Sequence, residues 1–226
     1  MTYDEIERAA KSVLVGIYRD EKKSRPGQLS PMQMIEPPVV AEYLGYRLSE
    51  LPSLGSWGSG PTKFETAGVV DKQRRIITLS QRFRAEVRRF TAAHECGHVV
   101  LDHPGTVIHR DRPVFDIEGG GRSRYEREAD YFAACLLVPR RLLEDEFDKR
   151  FHVGPPLPLT DAVAFNLCGT SAHALMRAGP SSYEFSAAVA SARSFNGRHF
   201  RSLADTFNVS VSSMAIRLRE LELLED

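Results

Sequence analysis

Cysteine is scarce in this chain, and what there is does not pair. Cys96, Cys135 and Cys168 lie far apart and form no C-x-x-C spacing. An odd count of separated thiols points away from a disulfide framework and towards free thiols in a reducing compartment. Long apolar runs are also missing, and none approaches the ~20 residues of a membrane span. No membrane partner is therefore expected. The first stretch, MTYDEIERAAKSVLVGIYRDEKK, is acidic and polar at its start and has no secretory apolar core, so the expected location is cytoplasmic. Charge of one sign is absent overall: 30 basic and 30 acidic residues cancel to a formal net charge of zero. No global field marks a nucleic-acid or membrane binder. One local excess exists, with Lys72, Arg74, Arg75, Arg82, Arg84, Arg88 and Arg89 set against Asp71 and Glu86. Most such runs are solvated faces. What the chain does have is apolar residues, 42% of 226. That suffices for one domain, or one domain with a small extension.

The most informative stretch is RFTAAHECGHVVLDH, residues 89–103. His94 and His98 are four apart in a segment with helical character, so both imidazoles project from one face and can close on a single metal ion. Glu95 then sits where a carboxylate can touch a metal-bound water without ligating the metal. Taken alone, H-E-x-x-H recurs by chance on ordinary helices, and a third ligand has to separate the readings. RYEREADYFAACLLVP, residues 124–139, is a second apolar helix with Glu126 and Asp130 one turn apart. Structural zinc prefers four protein ligands, whereas catalytic zinc keeps three and leaves a position open. Two histidines with Glu126 make a catalytic set, and Asp130 is placed to orient a ligand histidine through its second ring nitrogen. His103 is the rival third ligand. It falls one residue short of the three-histidine spacing, and no glycine is present to bend the helix back, so it is rejected. Cys168, in NLCGTS, is a possible latency ligand, since a thiolate could fill the open corner. An inert thiol is the plainer reading.

The rest of the chain supplies the frame. Asp4 to Lys22 has helical apolar spacing. Residues 23–33 are turn-rich and read as irregular, a short helix follows Pro38, and Arg47–Leu51 reads as a strand. Residues 51–61 read as loop. Thr66–Val70 and Arg75–Leu79 read as a β-hairpin, and the edge of its second strand either pairs with an extended substrate or, in a core hairpin, faces nothing. Residues 105–123, with the triplet Gly119–Gly121, read as a loop over the site. The last seventy residues contain an echo at an offset of 42, in which Ala162, Phe165 and Asn166 match Ala204, Phe207 and Asn208. Its second copy has a helix-turn-helix pattern with Ser210 as N-cap. Only Arg217 and Arg219 are basic in its second helix, so structural hairpins are favoured over a DNA-reading module.

Three blocks in order, AAHECGHVVLDH, YEREADYFAACLLVP and LADTFNVSVSSMAIRLRELELL, resemble the ImmA/IrrE family of zinc metallopeptidases. The E-x-x-A-D piece with its FAA-x-LL-x-P tail is the specific part. The resemblance implies an α+β fold with a zincin-like core, a small mixed sheet beside the H-E-x-x-H helix, followed by C-terminal helical hairpins. With the breaker run at 154–158 as the boundary, it implies a catalytic domain over 1–153 and a helical extension with a helix-turn-helix-like hairpin over 154–226. It also implies Zn2+ held by His94, His98 and Glu126, with Glu95 as catalytic base. Family members typically cleave one partner, often a helix-turn-helix repressor, and so relieve repression in stress, mobile-element or defence settings. Some relatives of a CapP-like type from antiphage operons are switched on by single-stranded DNA, which would give the basic run a use. The competing class is a DNA-binding regulator that uses the C-terminal hairpin and keeps zinc for structure.

Overall fold

Helix α1 (Tyr3–Ser24) buries Ile6, Ala10, Val13, Ile17 and Glu21, the stripe that a 3.6-residue period predicts. Its acidic first turn and basic last turn both suit the helix dipole. In the computed structural model, residues 1–24, 26–57, 64–104, 108–110 and 123–225 are described, and they form two compact units, Met1–Leu137 and Val138–Asp226. The run expected to be irregular before Pro37 holds a short helix α2 (Pro31–Met34), closed by a reciprocal capping box between Ser30 and Gln33. Helix α3 (Pro37–Tyr43) starts on its two prolines as expected.

The first unit's sheet contains β1 (Arg47–Leu51), β2 (Ser56–Trp57), β3 (Phe64–Asp71), β4 (Ile76–Ser80) and β5 (Ile108–Arg110). The expected hairpin is β3–β4, antiparallel with Gly68 opposite Leu79. Strand β1 runs parallel to β4, and β2 and β5 each pair antiparallel with β3. The sheet is therefore mixed, and the fold class is α+β. Neither reading of the Arg75–Leu79 edge holds. β4 lies between β1 and β3, so both rows of its backbone groups are taken and it offers substrate no edge. Ser56–Trp57 is likewise a short strand where a loop was expected. The glycine triplet and most of the loop expected above the site lie outside the described residues; of that run Ile108–Arg110 and Ser123 are described, and Ile108–Arg110 is a strand where a loop was expected.

Helix α4 (Ala85–Val100) is buried without interruption from Thr91 to His98. A helix can be buried all round only when covered on more than one side. Here the sheet, α3 and α5 (Arg124–Leu137) cover it. Gly97 sets the closeness of α4 and α5. A Cβ there would sit 3.2 Å from Ala129 Cα and 3.3 Å from Ala129 O, so the absence of a side chain lets the two backbones meet. Phe132, whose ring also meets Gly97, fills the same interface and is fully buried.

The second unit holds α6 (Arg140–Phe151), α7 (Asp161–Cys168), α8 (Ala172–Ala178), α9 (Tyr183–Ser191), a small hairpin β6 (Ser194–Phe195) and β7 (Arg198–His199), α10 (Leu203–Phe207) and α11 (Val211–Glu220). The breaker run suggests a boundary at 153/154, whereas the units divide at Leu137/Val138. Contacts made by α6 explain the difference. The Phe151 ring meets Phe195 at 5.1 Å, and buried Arg150 donates to Arg201 O at 2.9 Å and to Thr206 Oγ1 at 2.8 Å. The 42-residue echo is structural: Thr160 caps α7 and Ser202 caps α10, each accepting from the backbone N–H three residues on. Asn208 takes the left-handed turn (φ 50°), and Ser210 caps α11.

Because Gly97 faces backbone that cannot rotate away, Gly97→Val is expected to destabilise the protein by about 1–3 kcal/mol. The urea midpoint of the variant checks this; an unchanged midpoint would show that α4 and α5 separate freely.

Candidate metal centre

His94 and His98 stand one turn apart on α4, and α5 delivers Glu126 from its first turn. The three side chains converge. His94 Nε2 lies 2.9 Å from His98 Nε2 and 3.3 Å from Glu126 Oε2, and His98 Nε2 lies 3.4 Å from Glu126 Oε1. These three residues could hold a metal ion. Zinc bonds of 2.0–2.1 Å imply tetrahedral edges of roughly 3.3–3.4 Å. Two of the three separations match that edge, and the nitrogen–nitrogen one is shorter.

Asp130 Oδ1 lies 2.9 Å from His94 Nδ1. An ionised carboxylate only accepts, so the hydrogen is assigned to Nδ1 and the lone pair to Nε2. The Nε2 lone pair, the Glu126 carboxylate and His98 Nε2 then face one another in a buried space. Acceptors this close repel unless a cation or a proton lies between them. Without metal a proton takes that place. Burial alone would lower the pKa of His94, but hydrogen bonds to Asp130 and Glu126 outweigh it and raise the value to about 9. For His98 burial wins and the pKa falls to about 4.

Glu95 is fully buried, and neither carboxylate oxygen has a hydrogen-bond partner among the described residues. Burial, with Glu126 nearby, pushes its pKa to about 8 against the pull of His94. A buried carboxylate without a partner among the described residues needs one, and here that place adjoins the metal donors. Gly68 of β3 makes room for it. A Cβ at Gly68 would come within 3.1 Å of Glu95 Oε1 and 2.5 Å of Thr91 Cγ2. The donor set and the orphaned carboxylate together fit a three-ligand metal site.

The other singled-out residues fall elsewhere. His103 is outside the ligand group as expected, but the expectation that the chain cannot bend back without a glycine is corrected. The chain does bend, at Asp102 (φ 51°), and brings His103 back beside His98 with Nδ1 to Nδ1 at 2.8 Å. Aspartate tolerates that left-handed conformation, which is the signal a search for glycine misses. Cys96 is buried and pushed up to about 12 by burial, which makes it an inert core thiol. Cys168 closes α7 in the second unit; burial raises its pKa as well, which increases the cost of presenting a thiolate to a metal. In α11, Arg217 is buried and donates to Val138 O, while Arg219 donates to Pro180 O and Ser182 O. Both cations of the would-be recognition helix are thus used inside the unit. The basic run is mostly matched: Lys72 pairs with Asp102, Arg74 with Asp71, Arg82 with Glu65, Arg88 with Glu50 and Arg89 with Glu36. No described helix is long and apolar enough to cross a membrane.

Compared with known protein families, residues 41–154 match the model of the IrrE N-terminal-like peptidase domain. The match spans half of the chain, includes all of α4 and α5, and continues through α6 beyond the end of the first unit. A comparison with curated proteins finds no match.

The raised pKa of His94 has a measurable consequence. At pH 7, below about 9, metal-free protein carries a proton there, and a ligand imidazole must lose it. Zinc uptake should release at least that proton, and affinity should rise with pH by about tenfold per unit or more until pH 9. Calorimetry in two buffers of different ionisation heat counts the protons; uptake independent of pH would contradict the assignment.

Proposed function

Because the chain belongs to the ImmA/IrrE family of metallopeptidases, we propose that it is a zinc-dependent endopeptidase of narrow specificity. Its substrate in this reading is a helix-turn-helix transcriptional repressor, whose cleavage derepresses a stress, mobile-element or defence operon. The observation that carries the enzymatic part is the buried Glu95 carboxylate, without a partner among the described residues, beside the convergent His94, His98 and Glu126 donors. Bound zinc would polarise a scissile carbonyl and lower the pKa of water to about 7. The side chains have distinct tasks around it. His94 and His98 present their Nε2 atoms, Glu126 its carboxylate, and Asp130 holds the His94 ring by accepting from Nδ1–H. Glu95 takes a proton from the attacking water and delivers it to the leaving amine. Its pKa, raised towards neutral by burial, suits a group that must both accept and return a proton.

The repressor as substrate rests on the family resemblance of the three motif blocks. A single-stranded DNA activator gains less support, because Arg75 and Arg84 are the cations of the basic run without a carboxylate partner among the described residues. The DNA-binding regulator loses its two candidate contacts, since Arg217 and Arg219 are engaged internally.

Replacing Glu95 by Gln keeps the shape and removes the base. Glu95→Gln should still bind about one zinc per chain but cleave a co-expressed repressor, the product of the neighbouring gene, at least about 100-fold more slowly. Cleavage at the wild-type rate would exclude a peptidase mechanism in which Glu95 is the base.

A further inference from the structure

His98 has two ring nitrogens, and the metal centre uses only Nε2. Its Nδ1 lies 2.8 Å from Nδ1 of His103, and Nε2 of His103 lies 3.1 Å from Glu128 Oε2. All three side chains are buried, His103 at 2% exposure and Glu128 at 7%. The chain reaches this arrangement by the turn at Asp102, and two further bonds hold it: His103 N–H donates to His98 O at 3.2 Å, and Lys72 Nζ donates to His103 O at 2.7 Å. The Tyr125 ring covers His103 at 4.9 Å between centroids.

Hydrogen assignment along this row has one consistent solution for neutral rings. Glu128 also accepts from Arg124 Nε at 2.8 Å and from the Met1 amine, so its carboxylate faces donors only. His103 therefore carries its hydrogen on Nε2 and offers a lone pair at Nδ1. His98 must then donate from Nδ1, which leaves its own lone pair on Nε2, the atom that faces His94 and Glu126. The opposite tautomer would place two lone pairs against each other at 2.8 Å and aim an N–H at the metal donors.

We propose that His103 and Glu128 are positioning residues of the metal centre, with Glu128 acting through His103 to hold His98 in the tautomer and ring orientation that ligation requires. Asp130 does this directly for His94, and the His103–Glu128 row does it at one remove for His98. The inference rests on the metal reading of the site and extends it to residues outside the ligand set. Outer partners of ligand histidines commonly contribute about 10–100-fold in metal affinity.

The test is Zn2+ affinity of the full chain at pH 7, by competition with a chromophoric chelator, with Co2+ absorption as a second readout. His103→Phe and Glu128→Leu should each weaken Zn2+ by about tenfold or more. The double variant should be no weaker than His103→Phe alone, because without His103 the carboxylate has no route to His98. Glu128→Gln, which keeps an acceptor oxygen, should recover most of the loss and the wild-type Co2+ spectrum. Wild-type affinity in His103→Phe, losses that multiply in full, or Gln behaving like Leu would each overturn the proposal while leaving the metal site standing. Should His103→Phe fail to fold, the Leu and Gln variants at Glu128 decide it. A wild-type chain that takes up no Zn2+ would remove the metal reading and this inference together.

Discussion

Three acceptors pointed at one buried point are unstable without positive charge among them, and the first unit is built to hold them there. His94, His98 and Glu126 come from two helices, so their meeting depends on how closely α4 and α5 approach. That approach depends on a missing side chain at Gly97. Behind the histidines, Gly68 leaves β3 bare where Glu95 needs room. The two glycines do for packing what the polar side chains do for chemistry: they bring the groups within reach of a single ion.

The electrostatics follow from burial. Charged or strongly polar groups withdrawn from water must be matched by partners or change protonation. His94 is matched by Asp130 and Glu126 and holds a proton more tightly; His98, less well matched, gives its proton up; Glu95 has no hydrogen-bond partner among the described residues and drifts towards neutrality. The second unit applies the same rule without chemistry. Arg150 and Arg217 are buried, and their guanidinium groups are engaged by backbone carbonyls and neighbouring carboxylates. A basic residue at a helix-turn-helix position is no sign of DNA contact when its guanidinium is buried within the unit.

Much of the candidate site was legible because its geometry is local. His94, Glu95 and His98 lie within five residues, and Glu126 and Asp130 are one helical turn apart, so a period of 3.6 places each set on a face. Hairpin β3–β4 and the capped α10–α11 pair were legible for the same reason, since turn chemistry and N-caps act over a few residues. Three features were less so. The short α2 is set by a capping box hidden in a turn-rich run. The bend that returns His103 uses Asp102 in a conformation glycine more often supplies. The division of the two units at Leu137/Val138 follows from long-range contacts of α6, which no breaker run marks.

The residues by themselves determined which groups could ligate and which could carry protons, because side-chain chemistry and helical spacing are properties of short segments. Tertiary structure alone decided that β4 is an interior strand, that Arg217 is buried and that His103 meets His98 at Nδ1 without joining the ligand group. Each of these depends on which distant segment fills the neighbouring space, and no local period encodes that.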